Sequence, residues 1–526
     1  MFDILIRHGL IIDGTGNPGF FGTIGIQNDV ITVFRGDTSQ ITTKHTLDAS
    51  AKVVCPGFID VHAHSALVIL DQPDHKPKVH QGITTELIGV DGNSYAPFAS
   101  QKELAKFIEI NSGLDGDPTL NDKWDSVSQY LSVYDKKVSV NIAYLVGNSP
   151  LRIGSVGWDN RPTSKQELLK MKSLFRESME DGAFGMSTGL DYPPGSYADT
   201  DELVVLATEV ARFGGIYHTH VRNLLGDRHL DPFKEAIDIG RHSGAPVHIT
   251  HLAHGKASAG RAEPIIEMIE SARNQGLDVT FDDFPYPYGG TRALVVLPTW
   301  THEGGPENLK AILGSRQGRE QLRREIQPQG QGWSDMRLTY FKKAHNKRFE
   351  GKSMAEVAES QGKHQVDALC DLLLDEDLRV SYIADVVDDT TLRNIITHPL
   401  YMVGTDAILL GEFPSPTAYG AYPFILSQIV REEKRLHLAE AIRKMTSYPA
   451  QRLGLEDRGI LRTGMKADIV IFDPETVNAH STRDHPKQYS TGIQHVIVNG
   501  IPVIDQGHHT GALPGRALHR GAIFRV

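Results

Sequence analysis

The sequence contains little cysteine and no excess of positive charge. Its two cysteines, Cys55 and Cys370, exclude a disulfide framework and indicate a reducing compartment. The formal net charge of −11 argues against a nucleic-acid partner, because proteins that bind the phosphate backbone carry basic patches. No apolar run is long enough to cross a bilayer, and the first residues form a strand-like run with Asp3 and Arg7 in place of a signal peptide. We therefore expect a cytoplasmic protein with no membrane partner and no nucleic-acid partner.

The two ends of the chain share a β-rich pattern. Residues 1–55 predict short strands broken by turns, and residues 456–526 predict further strands with a hairpin turn at Asn499 and Gly500. Neither end alone has enough strands to bury a core. We therefore predict that both ends meet in one small β-sandwich.

Between these ends, residues 56–455 alternate between apolar strands and amphipathic helices. Residues 246–251, for example, predict a strand, and later strands are predicted at 380–383 and 402–405. So many strand–helix units favour an α/β fold with a parallel (β/α)8 barrel over an open sheet. Residues 286–350 interrupt the alternation with proline, glycine and charge, and they predict an inserted subdomain or lid beside the barrel mouth.

Histidine and aspartate stand at the ends of several predicted strands. His62 and His64 close an apolar run, and their i, i+2 spacing places both side chains on one face, close enough to share a metal ion. His220, His251 and Asp406 each end another predicted strand. A parallel barrel gathers the carboxyl ends of its strands at one mouth. These residues therefore predict a zinc-type site in which Asp406 is free to move protons.

Each of these residues also has a purely structural interpretation. An aspartate after a strand is more often the N-cap of the next helix than a base. Other histidines, namely His218, His248, His254 and His302, are more readily explained as structural or solvent-facing. Only the combination of strand-end residues in one barrel favours a metal site.

Longer motifs carry a family resemblance along nearly the full chain. Residues 56–64 read Pro-Gly-Phe-Ile-Asp-Val-His-Ala-His, and residues 182–189 read Gly-Ala-Phe-Gly-Met-Ser-Thr-Gly. Further motifs follow at 217–222, 403–406 and 510–516. Motifs of this length and in this order resemble the amidohydrolase superfamily and, within it, the D-aminoacylase (N-acyl-D-amino-acid deacylase) family.

The resemblance implies a distorted (β/α)8 TIM barrel, a small β-sandwich built from both termini and an insertion at the barrel mouth. His220 and His251 match the histidines of a tightly bound zinc, and His62 and His64 match the pair at a second, weaker metal position. Asp406 matches the catalytic aspartate. The implied mechanism is that the metal polarises the scissile carbonyl and activates a water, whose proton the aspartate passes to the leaving nitrogen.

Two residues depart from the family pattern around the metal. The position of a metal-ligating cysteine is occupied by Asp91, whose oxygen can replace the thiolate and admit Mn²⁺ or another divalent ion beside Zn²⁺. The alternative is that Asp91 is a turn residue before Gly92. The family usually has an acidic residue directly after the second histidine, whereas this chain has Ser65 there.

The cations that the family uses for the substrate carboxylate are also missing. The expected lysine is Ala253, with Lys256 close by, and the expected arginine is Thr417. A buried carboxylate without a bidentate partner is costly, so we expect that the substrate is not a simple N-acyl-D-amino acid. Candidate substrate contacts are Tyr192, Arg222, Tyr286 and Arg292.

The sequence thus predicts a metal-dependent hydrolase of an amide-type C–N bond, with one or two divalent ions and a small-molecule substrate. A hydrolase of a cyclic amide, carbamate or lactone is the alternative within the enzymes. A non-catalytic scaffold that keeps the barrel is the alternative from another class. The sequence leaves the oligomeric state open, a homo-oligomer included.

Overall fold

Eight parallel strands form a barrel at the centre of the fold. The computed structural model describes residues 1–120, 122–223, 228–252, 262–326 and 332–520. A parallel bridge between Ala63 and Ala407 joins the last barrel strand to the first. Barrel strands 1 to 8 are, in chain order, Phe58–Asp60, Ile83–Ile88, Asn141–Tyr144 with Val146–Gly147, Gly185–Gly189, Ile216–His220, Val247–Ile249, Val279–Asp283 and Tyr401–Val403. The predicted (β/α)8 barrel is confirmed.

Helices follow the barrel strands and cover their outer side. Several begin where the sequence supplies a cap: Ser164 and Glu167 form a capping box, and the Asp199 side chain accepts a hydrogen bond from the backbone N–H of Glu202. The helices around the barrel are Val68–Asp71, Lys76–Val79, Gln101–Asp115, Val127–Ser132, Asn148–Ser155, Lys165–Glu180, Thr200–Arg212, Asp231–Ser243, Ala262–Asn274, Asp389–Thr397, Thr417–Phe424, Ile425–Glu432, Leu438–Met445 and Ser447–Leu453. No helix among the described residues is both long and apolar enough to span a membrane.

Strands from the two ends of the chain form one continuous sheet. The ends meet where Val53–Pro56 pairs antiparallel with Ile469–Phe472. The sheet bends back on itself, so that the backbone N–H of Ala467 donates to the carbonyl of Asp29, 2.8 Å away. The two ends of the chain thereby bury a shared isoleucine-rich core. Its strands are Phe2–Ile11, Phe20–Gln27, Val30–Phe34, Thr43–Asp48, Val53–Pro56, Ile469–Phe472, Ile493–Val498, Ile501–Asp505 and His508–His509.

The C-terminal segment does not stay within this sheet. Ala517 forms a parallel bridge with Ile142 in barrel strand 3, and the backbone N–H of Leu518 donates to the Ile142 carbonyl. The β-sandwich predicted over 456–526 therefore ends before the last described residues, which return to the barrel.

The insertion is larger than predicted and contains its own sheet. Val380–Asp385 is the central strand of this antiparallel sheet, between Tyr288–Arg292 and Arg337–Phe341. The prediction of a barrel strand at 380–383, and of an insertion ending near residue 350, is therefore wrong. An apolar strand after a helix has the same local pattern whether it joins a parallel barrel or an antiparallel sheet. The helices of the insertion are Pro306–Gly314, Arg316–Glu325, Met354–Ser360 and Gln365–Asp375.

A buried polar cluster around Asp468 joins the terminal sheet to the barrel. Asp468 pairs with Arg458 and accepts hydrogen bonds from the Asn141 side chain (3.1 Å) and the backbone N–H of Asn499 (2.7 Å). Since Asn141 belongs to barrel strand 3, one carboxylate connects the two parts of the fold.

We predict that Asp468→Ala destabilises the protein by about 3–5 kcal/mol, because it leaves the buried guanidinium of Arg458 with only the half-exposed Asp457 and removes the acceptor of the Asn141 side chain and the Asn499 N–H. Denaturant unfolding followed by circular dichroism measures the loss. The matched control is Asp505→Ala in the same sheet, where the aspartate is 53% exposed and pairs with His495. Its effect should stay below about 1 kcal/mol. Equal effects of the two variants would contradict the structural role of Asp468.

Candidate metal centre

Four buried side chains meet at the carboxyl-end mouth of the barrel. His62 and His64 follow barrel strand 1, Asp91 follows barrel strand 2 and Asp406 follows barrel strand 8. The Nε2 atoms of His62 and His64 lie 3.4 and 3.6 Å from Asp91 Oδ2, and 3.5 and 3.2 Å from Asp406 Oδ1. Ligands about 2.1 Å from a tetrahedral zinc stand roughly 3.4 Å apart. The four side chains therefore have the spacing of a metal site.

Asp91 also belongs to a second group of ligand atoms. Its Oδ2 lies 3.8 Å from His251 Nε2, which in turn lies 2.9 Å from His220 Nδ1. His220 ends barrel strand 5, and His251 follows barrel strand 6. Because Asp91 is common to both groups, the centre has room for one divalent ion or for two that share this carboxylate.

Several buried polar atoms of the centre have no hydrogen-bond partner. They are both ring nitrogens of His62 and the Oδ1 atom of Asp91. Buried polar groups are nearly always satisfied, so each exception calls for an explanation. Imidazole nitrogen and carboxylate oxygen are both common ligands of divalent metal ions. The residues present therefore fit a metal ion.

Negative charge dominates the centre. Burial lowers the pKa of His62, but the carboxylates of Asp91, Asp406 and Asp282 outweigh burial and raise it well above its ordinary value. Burial raises the pKa of Asp91 and Asp406, but the neighbouring histidines, His62 first, hold both values below the usual range. Without an ion, protons on the histidines balance the carboxylates. A divalent cation can replace those protons.

Three residues of the centre adopt left-handed backbone conformations. The φ angles are 53° for Asp91, 31° for His251 and 45° for Asp406. Such conformations cost about 1–3 kcal/mol for a residue other than glycine, and they cluster at functional sites. The backbone N–H of Asp406 donates to the carbonyl of His62, 2.9 Å away, which holds Asp406 beside barrel strand 1.

Two carboxylates that the sequence analysis missed lie behind the centre. Asp282, in barrel strand 7, is 3.5 Å from Nδ1 of His62 and accepts a hydrogen bond from the backbone N–H of His251 (2.9 Å). Asp115 lies 3.3 Å from Nδ1 of His64. A carboxylate at the second ring nitrogen fixes the orientation of a ligating histidine and leaves Nε2 for the metal.

A buried lysine supports the centre from the other side. Lys78 Nζ lies 2.7 Å from Asp60 Oδ2 and 2.9 Å from Glu86 Oε1, and it donates to Thr405 Oγ1 (2.8 Å). Asp60 Oδ1 accepts hydrogen bonds from the backbone N–H groups of His62 (3.1 Å) and Thr405 (3.0 Å). This network therefore positions the residues on both sides of the junction between barrel strands 8 and 1.

Two of the predicted substrate contacts lie beside the centre. The hydroxyl of Tyr192 is 3.3 Å from His220 Nδ1, and the guanidinium of Arg292 lies 4.7 Å from the centroid of the Tyr192 ring. A third carboxylate that was not predicted, Asp191, lies 2.8 Å from His220 Nε2. Asp191 stands two residues after the end of barrel strand 4. A search for polar residues at the carboxyl ends of barrel strands could therefore have found it.

The other two predicted contacts differ in their hydrogen bonding. Arg222 donates to the backbone carbonyls of Ser196 (2.8 Å) and Ala198 (2.9 Å) and pairs with Glu235. Tyr286 packs its ring 4.7 Å from that of Phe424, and its buried hydroxyl has no hydrogen-bond partner among the described residues. A role of Tyr286 in substrate contact stays a prediction.

The departures from the family pattern have structural counterparts. The Ser65 hydroxyl donates to Glu86 Oε2 (2.5 Å), so it belongs to the Lys78 network. Thr417 is buried, and its hydroxyl donates to that of Ser415 (3.0 Å), so no cation stands at this position. Ala253, Lys256 and His254 lie outside the described residues.

The remaining histidines are held by polar neighbours. His248 contacts Thr280 Oγ1 (2.8 Å) and Asp282 Oδ2 (3.0 Å), and His218 stacks on His248. His302 contacts the Thr301 hydroxyl (3.1 Å), and burial lowers its pKa to about 4. His302 is therefore neutral near pH 7.

Comparison with known proteins identifies the class. A model of the amidohydrolase family matches residues 330–504. The chain is 31% identical over 523 residues to D-aminoacylase of Alcaligenes xylosoxydans xylosoxydans, covering 99% of this chain and 98% of that protein. It is 32% identical over 528 residues to N-acyl-D-glutamate deacylase of the same organism, with 99% and 97% covered. The crystal structure of N-acyl-D-glutamate deacylase from Bordetella bronchiseptica, complexed with zinc and a phosphonate inhibitor, superposes with a TM-score of 0.83 at 30% identity and covers 99% of this chain and 100% of that one.

The barrel, the terminal β domain and the His and Asp centre therefore define a metal-dependent amidohydrolase, an enzyme that hydrolyses carbon–nitrogen bonds. Within that class, the chain belongs to the D-aminoacylase family. The resemblance seen in the sequence motifs is confirmed.

We predict that zinc stabilises the protein more at pH 8 than at pH 5.5. The pKa values of His62, His64 and His251 are raised, so protons on these rings stabilise the metal-free fold below the ordinary histidine pKa. That stabilisation is lost as the pH rises through the raised values, whereas zinc gains affinity as the rings deprotonate. Thermal unfolding of chelator-treated and zinc-supplemented protein, from pH 5.5 to 9, measures the difference. A zinc effect that is independent of pH would contradict the charge balance described above.

Proposed function

We propose that His62, His64, Asp91, His220 and His251 hold one or two divalent ions, Zn²⁺ or Mn²⁺, for the hydrolysis of an amide bond. The observation that supports this proposal is the meeting of these side chains around buried polar atoms without hydrogen-bond partners. When bound, a divalent ion polarises a carbonyl group and lowers the pKa of water. Asp91 takes the position of the cysteine ligand of the family.

Asp406 is the proton carrier in this proposal. Its Oδ1 faces Nε2 of both His64 and His62, and the neighbouring histidines keep its pKa low, so the carboxylate is ionised near pH 7. The carboxylate takes a proton from the attacking water as the water oxygen bonds to the carbonyl carbon. It then gives that proton to the nitrogen as the C–N bond breaks.

The substrate in this proposal is a small amide other than a simple N-acyl-D-amino acid. Thr417 supplies no cation where the family has an arginine for the substrate carboxylate, and Arg222 is engaged by backbone carbonyls and Glu235. A substrate carboxylate at the family position would be buried without a charge-assisted partner. The cytoplasmic location and a homo-oligomeric state stay predictions from the sequence.

We predict that Asp406→Asn lowers kcat at least about a hundredfold, because an amide cannot accept the proton of the attacking water. Turnover of a panel of N-acyl amino acids, cyclic amides, carbamates and lactones measures the loss on whichever substrate the wild type cleaves. Metal content and melting temperature serve as controls and should stay near the wild-type values. Turnover close to that of the wild type would remove Asp406 as the proton carrier.

We predict that Asp91→Ala lowers the metal content of the purified protein, since Asp91 is the one ligand common to both groups. Plasma mass spectrometry should find about one or two divalent ions per wild-type chain and fewer in the variant. Asp91→Cys is the matched control, because a thiolate restores a ligand at the same position and should recover zinc binding. Unchanged metal content in Asp91→Ala would make Asp91 a turn residue.

A further inference from the structure

An aspartate outside the proposed set of metal ligands contacts the ring of His220. The Oδ2 atom of Asp191 lies 2.8 Å from His220 Nε2 and accepts a hydrogen bond from the backbone N–H of Asn223 (3.2 Å). The side chains of His220 and Asp191 are only 8% and 10% exposed. Because water has little access to either group, this contact is stronger than the same contact would be on an open surface.

The contact with Asp191 gives the two ring nitrogens of His220 different surroundings. Nε2 faces the carboxylate, whereas Nδ1 lies 2.9 Å from His251 Nε2 and 3.3 Å from the Tyr192 hydroxyl. Nδ1 is therefore the nitrogen that is turned towards another proposed ligand. A neutral imidazole carries one N–H, and an ionised carboxylate can only accept a hydrogen bond. A proton held at Nε2 by Asp191 leaves the lone pair of Nδ1 available to a metal ion.

The two histidines after barrel strand 1 have a related arrangement. Asp282 lies 3.5 Å from Nδ1 of His62, and Asp115 lies 3.3 Å from Nδ1 of His64. In both rings Nε2 faces a carboxylate of the centre. Asp191 occupies the equivalent outer position, but at the opposite ring nitrogen. Three of the proposed histidine ligands thus have a carboxylate beside the nitrogen that faces away from the centre.

Backbone contacts hold Asp191 against the end of barrel strand 5. The N–H of Leu190 donates to the carbonyl of His220, 3.0 Å away, so the residue before Asp191 is tied to the histidine itself. The N–H of Tyr192, the residue after it, donates to the carbonyl of Gly189, also 3.0 Å away. A carboxylate fixed in this way can impose an orientation on the ring that it contacts.

We propose that Asp191 is a positioning residue of the metal centre and orients His220 so that Nδ1 binds the divalent ion. This inference rests on the proposed function and deepens it, because it assigns the outer partner of one metal ligand. The hydrogen bond from His220 Nε2 to Asp191 fixes both the rotation and the tautomer of the ring and makes Nδ1 more basic. Asp191 acts through His220 and is not itself a metal ligand.

The zinc affinity of Asp191 variants tests the proposal. Competition with a chromophoric chelator near pH 7 measures the zinc dissociation constants of the wild type, Asp191→Ala and Asp191→Asn. We expect Asp191→Ala to weaken zinc binding by about 10- to 100-fold, as for the loss of a partner behind a metal ligand. Asp191→Asn should lose less affinity, because its side-chain oxygen still accepts the hydrogen bond from Nε2. At saturating zinc, both variants should bind as many ions per chain as the wild type.

A spectrum separates this positioning role from a merely structural one. The ligand-field absorption of cobalt-loaded protein depends on how the ligands are arranged around the ion. At saturating cobalt, Asp191→Ala should change this absorption, and Asp191→Asn should restore most of the wild-type spectrum.

Asp201→Asn is the matched control, since this exposed aspartate in the first turn of the next helix removes the same charge. Its zinc affinity and cobalt spectrum should equal those of the wild type. Melting temperatures of the metal-free proteins identify any variant that fails to fold, and Asp191→Asn carries the test if Asp191→Ala does so.

Two kinds of result would overturn the inference. Wild-type affinity and spectrum in the folded Asp191 variants, or an equal loss in Asp201→Asn, would show that the carboxylate does not act through His220. Loss of a bound ion at saturating zinc would instead make Asp191 a metal ligand. A wild type that binds no zinc would contradict the proposed function, and its affinity is measured in the same titration.

Discussion

The close approach of buried carboxylates and imidazoles at the barrel mouth is the constraint on which the metal centre depends. Asp91 and Asp406 face the same two histidine nitrogens at 3.2–3.6 Å, and Asp282 lies behind His62. Ionised carboxylates so close together in a low-dielectric interior repel one another unless positive charge lies between them. Protons on the histidines or a divalent cation can provide that charge. The same electrostatic imbalance therefore makes the site pH-sensitive without metal and attractive to a divalent ion.

The fold holds this unfavourable arrangement with interactions that also close the barrel. The backbone N–H of Asp406 donates to the His62 carbonyl, and Asp60 accepts hydrogen bonds from the backbone of both His62 and Thr405. Lys78 forms an ion pair with Asp60 and balances its charge. The junction of barrel strands 8 and 1 and the placement of His62 and Asp406 thus depend on one network. This explains how Asp406 can keep a left-handed backbone that costs free energy by itself.

Strand parity and strand ends suffice to predict much of the site, because a parallel barrel gathers its strand ends at one mouth. His62, His64, His220, His251 and Asp406 follow from that rule. Asp282 does not, because it lies one residue before the end of barrel strand 7, whose last residue is Asp283.

Other misses have different physical causes. Asp115 ends a helix, and no local pattern shows that tertiary packing brings it to His64. The strand Val380–Asp385 has a strand pattern, but its partners lie far away in the sequence and determine whether the sheet is parallel or antiparallel. Sequence pattern thus predicts which residues form strands more reliably than it predicts which strands pair.

Substrate recognition follows from where the fold places positive charge. In this family pattern the cations for a carboxylate stand close to the metal, and here Thr417 has replaced one of them. A pocket that loses positive charge near the scissile bond no longer compensates the desolvation of an adjacent carboxylate. Arg292 restores a buried positive charge, but on the inserted sheet and behind Tyr192. A substrate whose charge lies farther from the scissile bond does not incur that desolvation cost.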